Sequence, residues 1–159
     1  MIKLKDILLE SDKILIPRRN KEDREKNHII SIQRQIQNYI KNGDDYDLEF
    51  DNTPIQSIPD NLKFVGGGLN LFNTKIKSLP DNLTVDGSLD IRHTKLTKLP
   101  ENLTVIYLFV DSRLLMNQIP KNLNVSEIMY INNFDGKKVY TEKKLKNLFP
   151  DVNKFTYMF

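Results

Sequence analysis

The chain has no cysteine, only two histidines, and no apolar run long enough to cross a membrane. Without cysteine, nothing can be stapled by disulfides, which fits a reducing, cytoplasmic setting, and neither a secretory h-region nor a membrane span is legible. His28 and His93 stand far apart and unaccompanied, so no metal set or general base is expected from them. Glycine is scarce, at six residues. Three of them, Gly66-Gly67-Gly68, lack the Lys-Ser/Thr and the strand-to-helix setting of a phosphate loop and read as a turn. No catalytic constellation, cofactor site or metal site is therefore expected, and the chain is read as a non-enzyme.

What is present is ordinary for one folded domain. Of the 159 residues, 39% are hydrophobic and 28% charged. The formal net charge is +3 and the pI ≈ 9.0. Residues 1–46 carry ten basic and eight acidic side chains, residues 47–120 seven and nine, and residues 121–159 seven and four. The ends are basic and the middle mildly acidic, which disfavours a nucleic-acid groove in the middle and leaves a nucleic-acid role for the ends as the alternative function.

The positive signal is a recurring phrase: Ile58-Pro59-Asp60-Asn61-Leu62, Leu79-Pro80-Asp81-Asn82-Leu83, Leu99-Pro100-Glu101-Asn102-Leu103 and Ile119-Pro120-Lys121-Asn122-Leu123. Its prolines lie 21, 20 and 20 residues apart. Self-similarity at that period predicts a solenoid, in which each unit buries its apolar face against its neighbours. Within the clearest unit, Leu89 and Ile91 share one side of a short strand, and Leu96 and Leu99 continue the buried row after a bend. Thr94 is placed to satisfy backbone groups in that bend. Proline once per turn keeps the return segment extended, Gly87 relaxes the turn into the strand, and the extra glycine of the triplet accounts for the one 21-residue interval. Asn-x-Ser/Thr triplets at Asn82, Asn102 and Asn124 are by-products of the repeat.

Leu48, Phe50, Thr53, Ile55 and Ile58 make a first, incomplete unit, and Leu69, Leu71, Thr74, Ile76 and Leu79 the second. The fourth breaks the pattern. Counting 20 onward from Leu89 and Ile91 reaches Phe109 and Asp111, so either an aspartate faces inward or the strand slips by one residue and buries Leu108 and Val110. Met129, Ile131 and Phe134 restore the frame before Asp135-Gly136 ends the array.

With threonine (Thr53, Thr74, Thr94) in place of the usual asparagine, the chain from about Asp47 to Asp135 resembles leucine-rich-repeat proteins of the short 20-residue LP type. The likeness extends to bacterial effectors and, more closely, to proteins encoded by tailed phages. It implies an α/β repeat fold: a short solenoid with parallel strands on its concave face, an N-terminal helical cap and a C-terminal helix/strand cap. Effectors of this type often carry a ubiquitin-ligase domain with a catalytic cysteine, for which this chain has neither residue nor room. The resemblance implies a protein partner, a host or virion component, and a place in the host cytoplasm or in the virion, with inhibition of a host defence complex as an extension.

The flanks fit that division. Residues 1–19 form a leader-like segment, 20–46 a helical cap, 47–135 the repeats and 136–159 a C-terminal cap. Ile29, Ile32, Ile36, Tyr39 and Ile40 fall at helical spacing between about Lys21 and Lys41, with Asn42-Gly43 as the stop. Thr141 opens a second helix that stops at Pro150, and Phe155, Tyr157 and Phe159 alternate like a strand. Leu8-Leu9-Glu10 before Ser11 resembles the cleavage sequence of phage capsid-targeting leaders, with Glu10 and Ser11 flanking the cut; an ordinary N-terminal helix is the alternative.

In the unslipped register the concave row reads Asp47, Glu49 and Asp51; Gly68, Asn70 and Phe72; Ser88, Asp90 and Arg92; Leu108, Val110 and Ser112; Ile128, Tyr130 and Asn132. Partner contact is expected at Phe72, Leu108, Val110, Ile128 and Tyr130, with Asn70, Asp90 and Arg92 beside them. A slipped register, or a C-terminal segment lying over the patch, would remove part of it.

Overall fold

The computed structural model describes residues 20–43, 45–117, 120, 122–132, 141–150 and 152–158. Glu10 and Ser11, and the end of the array at Phe134 to Gly136, lie outside them.

The first element is α1 (Lys21–Asn42). Asn20 caps its start, its Oδ1 accepting the Asp23 N–H at 2.7 Å, and Gly43 ends it in the left-handed region (φ 67°), donating its N–H to Tyr39 O at 3.0 Å. The Asn42-Gly43 stop thus acts as expected. Ile32, Ile36 and Tyr39 form its buried stripe, and the Tyr39 hydroxyl accepts the Gly66 N–H at 2.9 Å, fastening the helix to the array.

Among the described residues seven strands follow: β1 (Leu48–Glu49), β2 (Phe64–Val65), β3 (Leu69–Asn70), β4 (Thr84–Asp90), β5 (Thr104–Asp111), β6 (Asn124–Asn132) and β7 (Lys154–Met158). Every pairing is parallel, and the sheet runs β1-β3-β4-β5-β6-β7, with β2 pairing β4 beside that path. Neighbours in space are successive turns of the chain, a solenoid of about four turns. Two helices interrupt it, α2 (Ser112–Asn117) straight after β5, and α3 (Glu142–Leu148) ahead of β7. The short α2 has no counterpart among the sequence expectations.

Each repeated residue type has a visible task. Leu48, Leu69, Leu89, Leu108 and Met129 stack as one buried row, and Phe50, Leu71, Ile91, Val110 and Ile131 as the next. Val65, Val85, Val105 and Val125 form a third row under the outer ladder. Thr53, Thr74 and Thr94 each donate a hydroxyl to the carbonyl three residues earlier, at 2.6, 2.8 and 2.9 Å, which closes the bend as expected. The asparagine of the P-x-N-L phrase works in two ways. Asn82 and Asn102 adopt left-handed backbone (φ 60° and 55°), a region in which asparagine is tolerated. Their amides also form a ladder, Asn122 donating to Asn102 at 2.7 Å and Asn102 to Asn82 at 2.8 Å.

Two expectations are corrected. Gly87 does not serve as a flexible turn: a Cβ there would lie 2.8 Å from the Gly67 carbonyl, so glycine is required because two neighbouring backbones touch. The fourth unit has slipped. Val85 pairs with Val105, but Ser88 pairs with Tyr107, Leu89 with Leu108 and Asp90 with Phe109, and the lost residue is recovered between β5 and β6, where Tyr107 pairs with Ile128. Leu108 and Val110 are completely buried. They belong to the core and cannot meet a partner, because the alternation of β5 turns Tyr107 and Phe109 outward in their place.

Candidate functional site

The slip rebuilds the outward face of the sheet. Across successive turns one row now reads Glu49, Asn70, Asp90, Phe109, Tyr130 and Thr156, and the row before it Ser88, Tyr107, Ile128 and Lys154. The face is acidic and amide-rich at its start and aromatic further along. Asn70 donates its amide to Glu49 at 2.7 Å, and Asp47 accepts the Gly68 N–H at 2.6 Å, so the early carboxylates are knit to the next turn.

At its centre lies a stack. The Arg92 guanidinium is held by Asp90 through Nε at 2.9 and 3.1 Å and through Nη2, and it lies 5.3 Å from the Phe72 ring centre and 5.1 Å from that of Phe109. Hydrogen bonding to the Asp90 carboxylate raises the Arg92 pKa above its already high ordinary value, so the cation is permanent. Phe109 in turn lies face to face with Tyr130, at 4.3 Å between centres and 5° between planes. Phe72, Arg92, Phe109 and Tyr130 therefore form one continuous cation–aromatic column across four turns. The column is half-buried, while Tyr107 beside it is 39% exposed.

The column ends against a buried anion. Asp111 is completely inaccessible and accepts the His93 N–H at 2.9 Å and the Asn132 amide at 2.9 Å, with Arg113 Nε at 3.3 Å. The His93 ring meets the edge of Phe72 at 5.1 Å, and its backbone takes the left-handed conformation (φ 57°) that Asn73 and Asn52 take one and two turns earlier. These contacts fix the strand ends on which the column sits.

Of the residues expected at the face, Phe72, Arg92, Asp90, Asn70, Ile128 and Tyr130 are on it, and Leu108 and Val110 are inside. Tyr107, Phe109 and Asp111 were missed. In β5 apolar residues occupy both alternating frames, so periodicity could not choose between them; the signal that could is Asp111, whose inward position in the unslipped frame offered no partner by count alone. Among the described residues no group of three or more His, Asp and Glu side chains is arranged to hold a metal, and no helix is long and apolar enough to cross a membrane.

No protein-family model matches the chain, and no curated protein or solved structure matches it either.

Proposed function

We propose that the chain is a leucine-rich-repeat protein that acts by binding another protein through the outward, concave face of its sheet, without catalysis. In this reading α1 closes the first turn of the array and the segment from α3 to β7 closes the last. The partner is a host or virion protein of a tailed-phage infection, the setting is the host cytoplasm, and the consequence of binding is inhibition of a host defence complex. Packaging in the virion would entail removal of the leader between Glu10 and Ser11.

The observation that carries the reading is the column of Phe72, Arg92, Phe109 and Tyr130, flanked by exposed Tyr107 and by Ile128. Aromatic side chains and arginine are the residues in which interface energy concentrates, and a stacked, ion-paired set is already ordered before a partner arrives. The test is capture from a lysate of the natural host, with the captured protein identified by mass spectrometry. The double variant Tyr107→Ser/Tyr130→Ala should lose that protein and melt close to the parent, whereas Lys98→Glu, an exposed change away from the face, should retain it. Equal capture by the face variant would overturn the reading.

A further inference from the structure

The stripe of α1 that faces the array changes character along its length. Toward the C-terminus it is Ile32, Ile36 and Tyr39, all buried in the common core. One to three turns earlier, the same side of the helix presents Lys21, Arg24, Glu25 and His28, whose spacing puts them on one face. A helix that merely covered the end of a core would continue its apolar stripe. Here a cleft of ≈ 660 Å³ lies between this polar stretch and the bends after β1, β3 and β4, which make its opposite wall, and the Glu25–Lys75 ion pair spans it.

Both walls carry cations, Lys21 and Arg24 from the helix and Lys75 and Lys95 from successive turns. Among the described residues one carboxylate lines the cleft, Glu25, and it is committed to Lys75 at 2.6 Å. Glu22 and Asp23, the other acids of the first helical turn, are not in the lining. A smaller cavity of ≈ 280 Å³ adjoins it, sharing Lys95 and His93 and adding Arg113, whose charge is already met by Asp111. The concentration of positive charge is notable because residues 47–120 are acidic on balance.

We infer that this cleft binds a phosphate-bearing ligand of nucleotide size, its oxyanions bridging Lys21 and Arg24 on one wall and Lys95 on the other. The cleft is open to solvent and its volume admits a molecule of nucleotide size, and lysine meets phosphate as a compact point charge. Two walls of cations favour several linked oxyanions over one. The site shares no residue with the aromatic column, so it stands or falls apart from protein binding at the sheet face.

The probe is inorganic tripolyphosphate, titrated calorimetrically into the full chain at low salt, with ATP and a ten-residue deoxythymidine strand as parallel arms. One saturable site is expected, weakened at least ~10-fold by Arg24→Gln/Lys95→Gln and unchanged by the matched off-site pair Lys63→Gln/Lys98→Gln. All four positions are exposed, and melting curves matching the parent's confirm that the variants are folded. ATP binding as tightly as tripolyphosphate, or more so, identifies a nucleotide as the source; weaker ATP binding identifies an inorganic polyphosphate. Absence of saturable binding, or equal loss in both pairs, overturns the site. Binding of the strand with none of tripolyphosphate overturns the small-ligand assignment.

Discussion

At the scale of residues, the fourth unit shows what alternation can and cannot decide. Buried positions in the first three turns were legible because Glu49, Asn70 and Asp90 each separate two buried apolar residues, whereas Tyr107-Leu108-Phe109-Val110 is apolar in both frames. The frame is chosen by the neighbours, since Leu108 and Val110 continue the rows begun by Leu89 and Ile91. Val110→Asp should therefore abolish the folded state, because it places an uncompensated charge in a closed row, while Phe109→Ser leaves the protein folded with a melting point only modestly lowered. Equal melting of the two variants, by circular dichroism, would contradict the slipped register. Asp111 gives a second case. Replacing it with alanine strands the His93 N–H and the Asn132 amide and should cost about 1–3 kcal/mol in denaturant unfolding, with Asp111→Asn recovering part because it keeps an acceptor oxygen.

At the scale of elements, α1 was legible from its apolar spacing and its Asn-Gly stop, but its attachment to the array was not. Besides the apolar stripe, that attachment uses single polar contacts between residues distant in sequence, which no periodic pattern reports: Tyr39 to Gly66, and Glu25 to Lys75. The Lys75 ammonium, by hydrogen bond and charge, holds the Glu25 carboxyl below its ordinary value. Because the folded-state pKa is the lower one, the contact contributes above the unfolded glutamate value of about 4.3 and is lost as pH falls through the depressed value. Glu25→Gln should thus lower the melting temperature at neutral pH, and the gap from the parent should close as the pH falls below about 4. It should also narrow at high salt, as for any exposed pair. A gap that persists in acid would mean that the glutamine acts through packing instead. The short α2 was illegible for a different reason. It sits where the repeat expects a bend, Ser112–Asn117 following directly on the strand that arrives one residue early.

At the scale of the whole molecule, a solenoid of parallel strands has two open ends, and its stability is close to a sum of turns and the contacts between them. The period announced the winding, since each unit carries the same buried set. It was silent on α1, α3 and β7, because these segments lie outside the repeat and share none of its spacing. The last full turn ends in β6, whose buried Val125, Met129 and Ile131 would meet water if nothing followed. β7 pairs with β6 from Ile128↔Lys154 to Asn132↔Met158, and Leu145, Phe149, Val152 and Phe155 join the common core behind it. Removing residues 141–159 therefore uncovers both an apolar row and a line of unpaired backbone donors and acceptors, the combination that templates edge-to-edge pairing. The shortened chain should melt well below the parent and self-associate in a concentration-dependent way by analytical ultracentrifugation. Adding Met129→Lys should suppress the association without restoring the melting point, because a charge at the edge blocks pairing but rebuilds no contact. A shortened chain that stays monomeric and melts like the parent would show that β6 closes the array by itself and leave α3 and β7 available for another task.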